Sequence, residues 1–169
     1  MAITFYDFTV PVFLRGLGVM SAVLEKGRAH AETAGIDPAD LVEARLAPDM
    51  LTLAGQVQRA SDTAKFAAVR IGGVENVRFA DEEKSLADLQ ERLTRTRDFL
   101  EKVPRAAIDD QERATIQANI GWSPISIGAV DYIQKFAMPN FYFHVTTAYD
   151  ILRSRGVALS KMDYIGSLS

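Results

Sequence analysis

Only two histidines occur in the chain, His30 and His144, and His144 stands in its most apolar and aromatic stretch, Asn140 to Gly156, NFYFHVTTAYDILRSRG. An imidazole is neutral or charged near physiological pH and serves as a base or as a metal ligand. Read as a helix, Phe141, His144, Ala148, Ile151 and Leu152 recur at three- and four-residue spacing and share one face. Asn140 lies one turn before His144 on that face. Polar groups on an apolar stripe need partners, supplied by another helix or by a ligand. Gln58 and Asp62, four apart on an earlier helical stretch, are the candidates to meet the ring. Trp122, the only tryptophan, joins them as a pocket candidate. Each has a plainer reading: Gln58 and Asp62 as a solvated edge, Trp122 as a cover over the bundle end, His144 as a satisfied core histidine. His144 is expected to be mostly buried and neutral, because burial disfavours the cation. His30, near the end of the first helix, is expected to play a surface role.

The rest of the composition narrows the chemistry. There are 169 residues with a net charge of -3, which suits a single domain over 1–169 and argues against a sequence-independent grip on nucleic acid. The absence of cysteine removes disulfides, thiolate metal sites and a cysteine nucleophile. No Gly-rich phosphate loop, G-x-S-x-G elbow, H-E-x-x-H or E-x-x-H pair is present. The N-terminus, MAITFYDFTV, lacks a basic region followed by an apolar core. No run approaches the ~18 apolar residues of a membrane span. No membrane association and a cytoplasmic location are the resulting expectations.

The elements that must position these side chains follow from periodicity. A first helix over 9–34 carries Phe13, Leu17, Met20, Leu24 and Ala31 on one stripe and stops at Gly35. Asp37-Pro38 caps and opens a short helix through Val42. A second long helix, 48–71, packs Leu53, Val57, Ala60, Ala64 and Ala67. Residues 74–83 form an exposed connection. Ser85 and Asp88 resemble a capping box for a third long helix, 85–103, with Leu86, Leu89, Leu93, Thr96 and Leu100 inward. Its opposite face, including Glu91, Arg92, Arg95 and Arg97, reads as solvated. Between Ala106 and Gly128, Ala114-Thr115-Ile116-Gln117 and Gly121-Trp122-Ser123-Pro124 are compatible with a short hairpin. A fourth long helix, 128–155, is expected to kink or break at Pro139. The residues after Val157 form a tail able to pack back. The fold class expected is all-α: a four-helix bundle with a short irregular or hairpin insertion before the last helix.

HVTTAYDILRSRG resembles the closing helix of the DinB/YfiT-like superfamily. There a histidine is followed eight and nine residues later by a leucine-arginine pair, then by a glycine. His144, Leu152, Arg153 and Gly156 have that spacing. LAPDM, QVQRASDTAK and FAMPNFYFHVTTAYDILRSRGV are similar to one branch, the domain of unknown function numbered nineteen ninety-three, and the resemblance runs over essentially the whole chain. It implies the DinB-like bundle. It also implies a comparison with the superfamily's metal site, three histidines of which one comes from helix two and two from helix four. The last matches His144. The one a turn earlier falls on Asn140, and the helix-two position falls on or near Gln58. Amide oxygens are weak ligands for zinc or nickel beside imidazole. The resemblance therefore implies a polar pocket of Gln58, Asn140 and His144 without metal.

Three functional expectations follow. One is a metal-free bundle that binds a small molecule. Another is a DinB-like metal-dependent enzyme of thiol-transferase or hydrolase type, with zinc or nickel on His144 or with His144 as general base. The third is a mainly structural homodimer, in which the small residues of helix two make the helix–helix contact.

Overall fold

Helix α1, Val10–Ala34, opens with Pro11 in its first turn and ends at Gly35, whose φ of +65° gives the left-handed stop. Val10, Phe13, Leu17, Met20, Val23 and Leu24 point inward and are almost completely buried. Gly16 belongs to the same face because a Cβ there would collide with the ring of Phe141. These details come from a computed structural model, which describes residues 2–120 and 123–166.

Asp37 caps the short helix α2, Pro38–Val42, by accepting the N–H of Ala39 at 2.9 Å. The next helix, α3, runs from Leu53 to Gly72. The expected start near Pro48 is therefore five residues early. Met50 N–H bonds to Ala47 in a turn and Leu53 N–H reaches back to Ala44, so the chain loops before Thr52 caps the helix through Gly55 N–H. Ser85 and Asp88 form the expected capping box of α4, Leu86–Glu101. A short helix, α5, covers Arg105–Asp109, and Asp109 accepts Tyr6 N–H at 2.7 Å, which ties down the N-terminal segment.

The hairpin is present. Strands β1, Thr115–Ile120, and β2, Ser123–Gly128, pair antiparallel with Ile116 opposite Ile127. All-α is thus too strict a description: the protein is mostly helical with one two-stranded sheet. Helix α6, Ala129–Tyr132, then leads through a π-helical turn, Ile133–Ala137, into α7, Met138–Ser154. The chain does not break at Pro139. A proline removes one donor and its ring crowds the carbonyl four residues earlier. The wider turn before it, in which Met138 N–H bonds to Ile133, accommodates both effects while the helix continues. A last short helix, α8, Lys161–Ile165, packs on α1, where Lys26 meets Asp163 at 2.5 Å and Arg15 donates to the carbonyl of Ile165.

Helices α1, α4, α3 and α7 each pack against the next in that order, and α7 closes back on α1. Ala60, Ala64, Ala67 and Ala68 are at most 2% exposed. The small residues assigned to a dimer contact are therefore used inside the chain. Among the described residues no helix is long and apolar enough to cross a membrane.

Candidate functional site

Phe141, His144, Val145, Ala148, Ile151 and Leu152 form the inward stripe of α7, so His144 is carried into the contact with α3. Its side chain is buried, with 8% of its surface exposed. The ring Nδ1 lies 2.7 Å from Oε1 of Gln56, a residue that is itself 1% exposed. The amide nitrogen of Gln56 in turn donates to the carbonyl of Leu51 at 3.2 Å. Phe143 stands edge-on to the imidazole, ring centres 5.3 Å apart. Burial, aided by the nearby charge of Arg59, pushes the imidazole pKa down to about 4. The ring is neutral at pH 7, as expected for a buried imidazole.

One turn earlier, Asn140 donates through Nδ2 to Thr63 Oγ1 at 2.7 Å. The Thr63 hydroxyl donates to the carbonyl of Arg59, also at 2.7 Å. The two α7 residues picked from the sequence do meet α3 together. The two α3 residues picked for them do not take part. Gln58 donates to Glu83 at 2.8 Å, and Asp62 faces Arg92 at 3.0 Å and Lys65 at 3.1 Å. Each helical residue turns about 100°, so Gln58 sits about 200° around α3 from Gln56. A helix cannot present both to the same neighbour. Gln56 and Thr63 flank Ala60 on the edge of the stripe formed by Leu53, Val57, Ala60 and Ala67. That spacing is the signal that could have found them. Trp122 lies outside the described residues. His30, expected to play a surface role, is half-buried near the end of α1.

Gln58 instead borders a groove of about 460 Å³ at the N-terminal end of α3, with Glu43, Asp49, Asp81 and Glu83 among its walls. His144 and Asn140 do not line it.

The other polar centre is absent from the sequence reading. Arg92, expected on a solvated face, is 2% exposed. Its Nε donates to Ser61 at 3.0 Å, one terminal nitrogen to Asp81 at 2.6 Å and Glu83 at 2.8 Å, and the other to Asp62 at 3.0 Å. Lys65, 2% exposed, joins through Asp62, and Arg59 through Asp81 at 2.6 Å. Phe79 lies under Lys65, Arg92 and Arg95, each within 4.9 Å of its ring centre. The connection 74–83 is largely exposed, as expected, yet Phe79, Asp81 and Glu83 pin it to α3 and α4. Burial pushes the Asp81 and Glu83 carboxyls up. Hydrogen bonds from Arg92, with help from Arg59 and Gln58, outweigh it and hold both below the ordinary range. Arg92 falls beside Leu89, Leu93 and Thr96 on the edge of the α4 stripe. Periodicity alone places it there, and its charge is what suggested solvent.

The DinB-like metal chemistry can be tested against these donors. His144 is one imidazole, and one of its nitrogens already meets Gln56. Asn140 and Gln56 are amides, each engaged in a hydrogen bond. Among the described residues no group of three His, Cys, Asp or Glu side chains is placed to hold a metal ion. This donor set does not fit a three-histidine transition-metal site.

The fold is that of a DinB-like protein. A solved DinB family member from Shewanella denitrificans superposes with a TM-score of 0.90 at 34% identity, over 96% of this chain and 92% of that one. More particularly, residues 5–165 match the family described as Domain of unknown function (DUF1993), and the chain belongs to that family. No curated protein matches it.

Proposed function

We propose that this chain is a single DinB-like four-helix-bundle domain that works without a metal, as a small-molecule-binding or structural protein. One observation carries the reading. His144 and Asn140, which the resemblance puts at the superfamily's two helix-four ligand positions, are held in hydrogen bonds across the seam, His144 to Gln56 and Asn140 to Thr63. An imidazole with two amides is a weak site for zinc or nickel. Purified protein is expected to carry no stoichiometric transition metal, even after incubation with zinc or nickel and desalting. Elemental analysis that finds about one metal per chain, lost in His144→Ala, would overturn this and establish the metal-dependent enzyme instead.

A further inference from the structure

We propose that the α3–α7 seam binds a neutral ligand that donates two hydrogen bonds, one to Nε2 of His144 and one to Oδ1 of Asn140. This rests on the metal-free reading of the same site and adds the chemistry of what it takes.

Two hydrogen-bond relays cross the seam, each ending on a backbone carbonyl of the α3 side. A carbonyl oxygen only accepts. Leu51 therefore fixes Gln56 with its amide nitrogen toward that carbonyl and its oxygen toward the imidazole. An oxygen facing Nδ1 requires that Nδ1 carry the proton. A neutral ring protonated at Nδ1 has its lone pair at Nε2. In the second relay the Arg59 carbonyl takes the Thr63 hydroxyl proton, so Thr63 Oγ1 accepts from Asn140 Nδ2. The other end of that amide, Oδ1, faces away from Thr63 as an acceptor.

Among the described residues neither Nε2 of His144 nor Oδ1 of Asn140 has a hydrogen-bond partner, and no fully buried side-chain nitrogen or oxygen lacks one. Both atoms therefore reach the solvent-accessible rim. The two residues sit one helical turn apart on α7, with Cβ atoms about 5–6 Å apart at that spacing. The seam thus offers two fixed acceptors. Charge selects among donors. The seam side chains are themselves uncharged, so a charged ligand finds no partner of opposite charge among them, and an anion meets no donor at these two acceptor atoms. Neutral N–H or O–H pairs remain, as in a primary amide, a urea or a diol. Phe143, 55% exposed and edge-on to the ring, provides an apolar flank, so an alkyl or aryl substituent beside the donor pair fits.

The test uses the full chain, labelled with ¹⁵N. Long-range nitrogen–proton correlation at pH 7 is expected to show His144 protonated at Nδ1 and bare at Nε2. Titration with N-ethylurea is expected to shift His144 Nε2 and the Asn140 side-chain amide in a saturable way. Ethyl acetate, similar in size but without donors, is expected to leave both in place. Thr63→Val, which frees the Asn140 amide to turn, is expected to weaken the N-ethylurea response several-fold. A proton on Nε2 would overturn the inference and leave the metal-free reading intact. Equal responses to both compounds, or none to either, would overturn it as well. A stoichiometric metal on Nε2 would sink both readings together, with Nδ1 still protonated.

Discussion

Helix α3 serves two polar centres that solve opposite problems. One face carries Ser61, Asp62 and Lys65 into the Arg92 cluster, and the other carries Gln56 and Thr63 to α7. The Arg92 cluster is closed: three cations, Arg59, Lys65 and Arg92, meet three carboxylates, Asp62, Asp81 and Glu83. Its job is to hold the 74–83 connection against α3 and α4. The His144 seam is uncharged and open. Each relay satisfies its inner atoms and leaves an acceptor at the rim. A closed centre is expected to act mainly on stability, whereas an open one retains capacity for a ligand.

The largest effect that would sharpen this contrast is Arg92→Met. Removing one partner of a buried ion pair leaves uncompensated charge, here chiefly on Glu83, since Asp62 keeps Lys65 and Asp81 keeps Arg59, and such changes cost about 3–5 kcal/mol. Urea denaturation at pH 7 checks this. A loss within experimental error would show that solvent already screens the cluster. Arg92→Lys is expected to recover little, because a single ammonium cannot reach Ser61, Asp62, Asp81 and Glu83 from one point.

The two centres also part on acidification. The imidazole binds a proton at its ordinary pKa of 6.5 when unfolded but only at about 4 when folded. The unfolded state therefore holds more protons between those values, and stability falls as pH drops from about 6.5 to about 4. The loss is on the order of 3 kcal/mol by that reasoning. Asp81 and Glu83 have depressed folded pKa values. Their contribution is complete above the ordinary carboxylate range and disappears only as pH falls through the lowered values. Melts of the protein and of His144→Ala across pH 4 to 7 separate the two windows. A constant gap between the two curves would contradict the neutral buried imidazole.

At pH 7 the His144→Ala change itself is expected to cost roughly 1–3 kcal/mol, from the cavity and from the unpaired Gln56 amide. By pH 4 this cost should vanish or reverse. A clear rise in melting temperature at pH 7 would mark the histidine as kept for function against stability.

Thr63→Val is the mildest test. It removes the middle of the second relay but leaves a half-buried Asn140 with access to water, so about 1 kcal/mol is expected by chemical denaturation. A loss as large as that of Arg92→Met would erase the distinction between the two centres.

Local physics made much of this legible in the chain itself. Inward stripes at three- and four-residue spacing outlined all four long helices. Ser85 with Asp88, Asp37 with Pro38, and Gly35 marked ends that the backbone then used, because caps depend only on neighbours in sequence. The burial and neutrality of His144 followed from its place between Phe141 and Ala148. The hairpin was readable in part: Thr115, Ile116 and Gln117 lie in β1, whereas Ser123 and Pro124, read as part of the turn, already belong to β2. Tertiary structure alone decided the partners. Whether His144 meets Gln56, Gln58 or Asp62 depends on the rotation and register of α3 against α7, set by the interlocking of whole faces such as Gly16 against Phe141 and the α3 alanines against their neighbours. The same holds for Arg92. Its charge pointed outward until Asp81 and Glu83, from a connection with no periodicity of its own, folded over it and made burial of the guanidinium favourable.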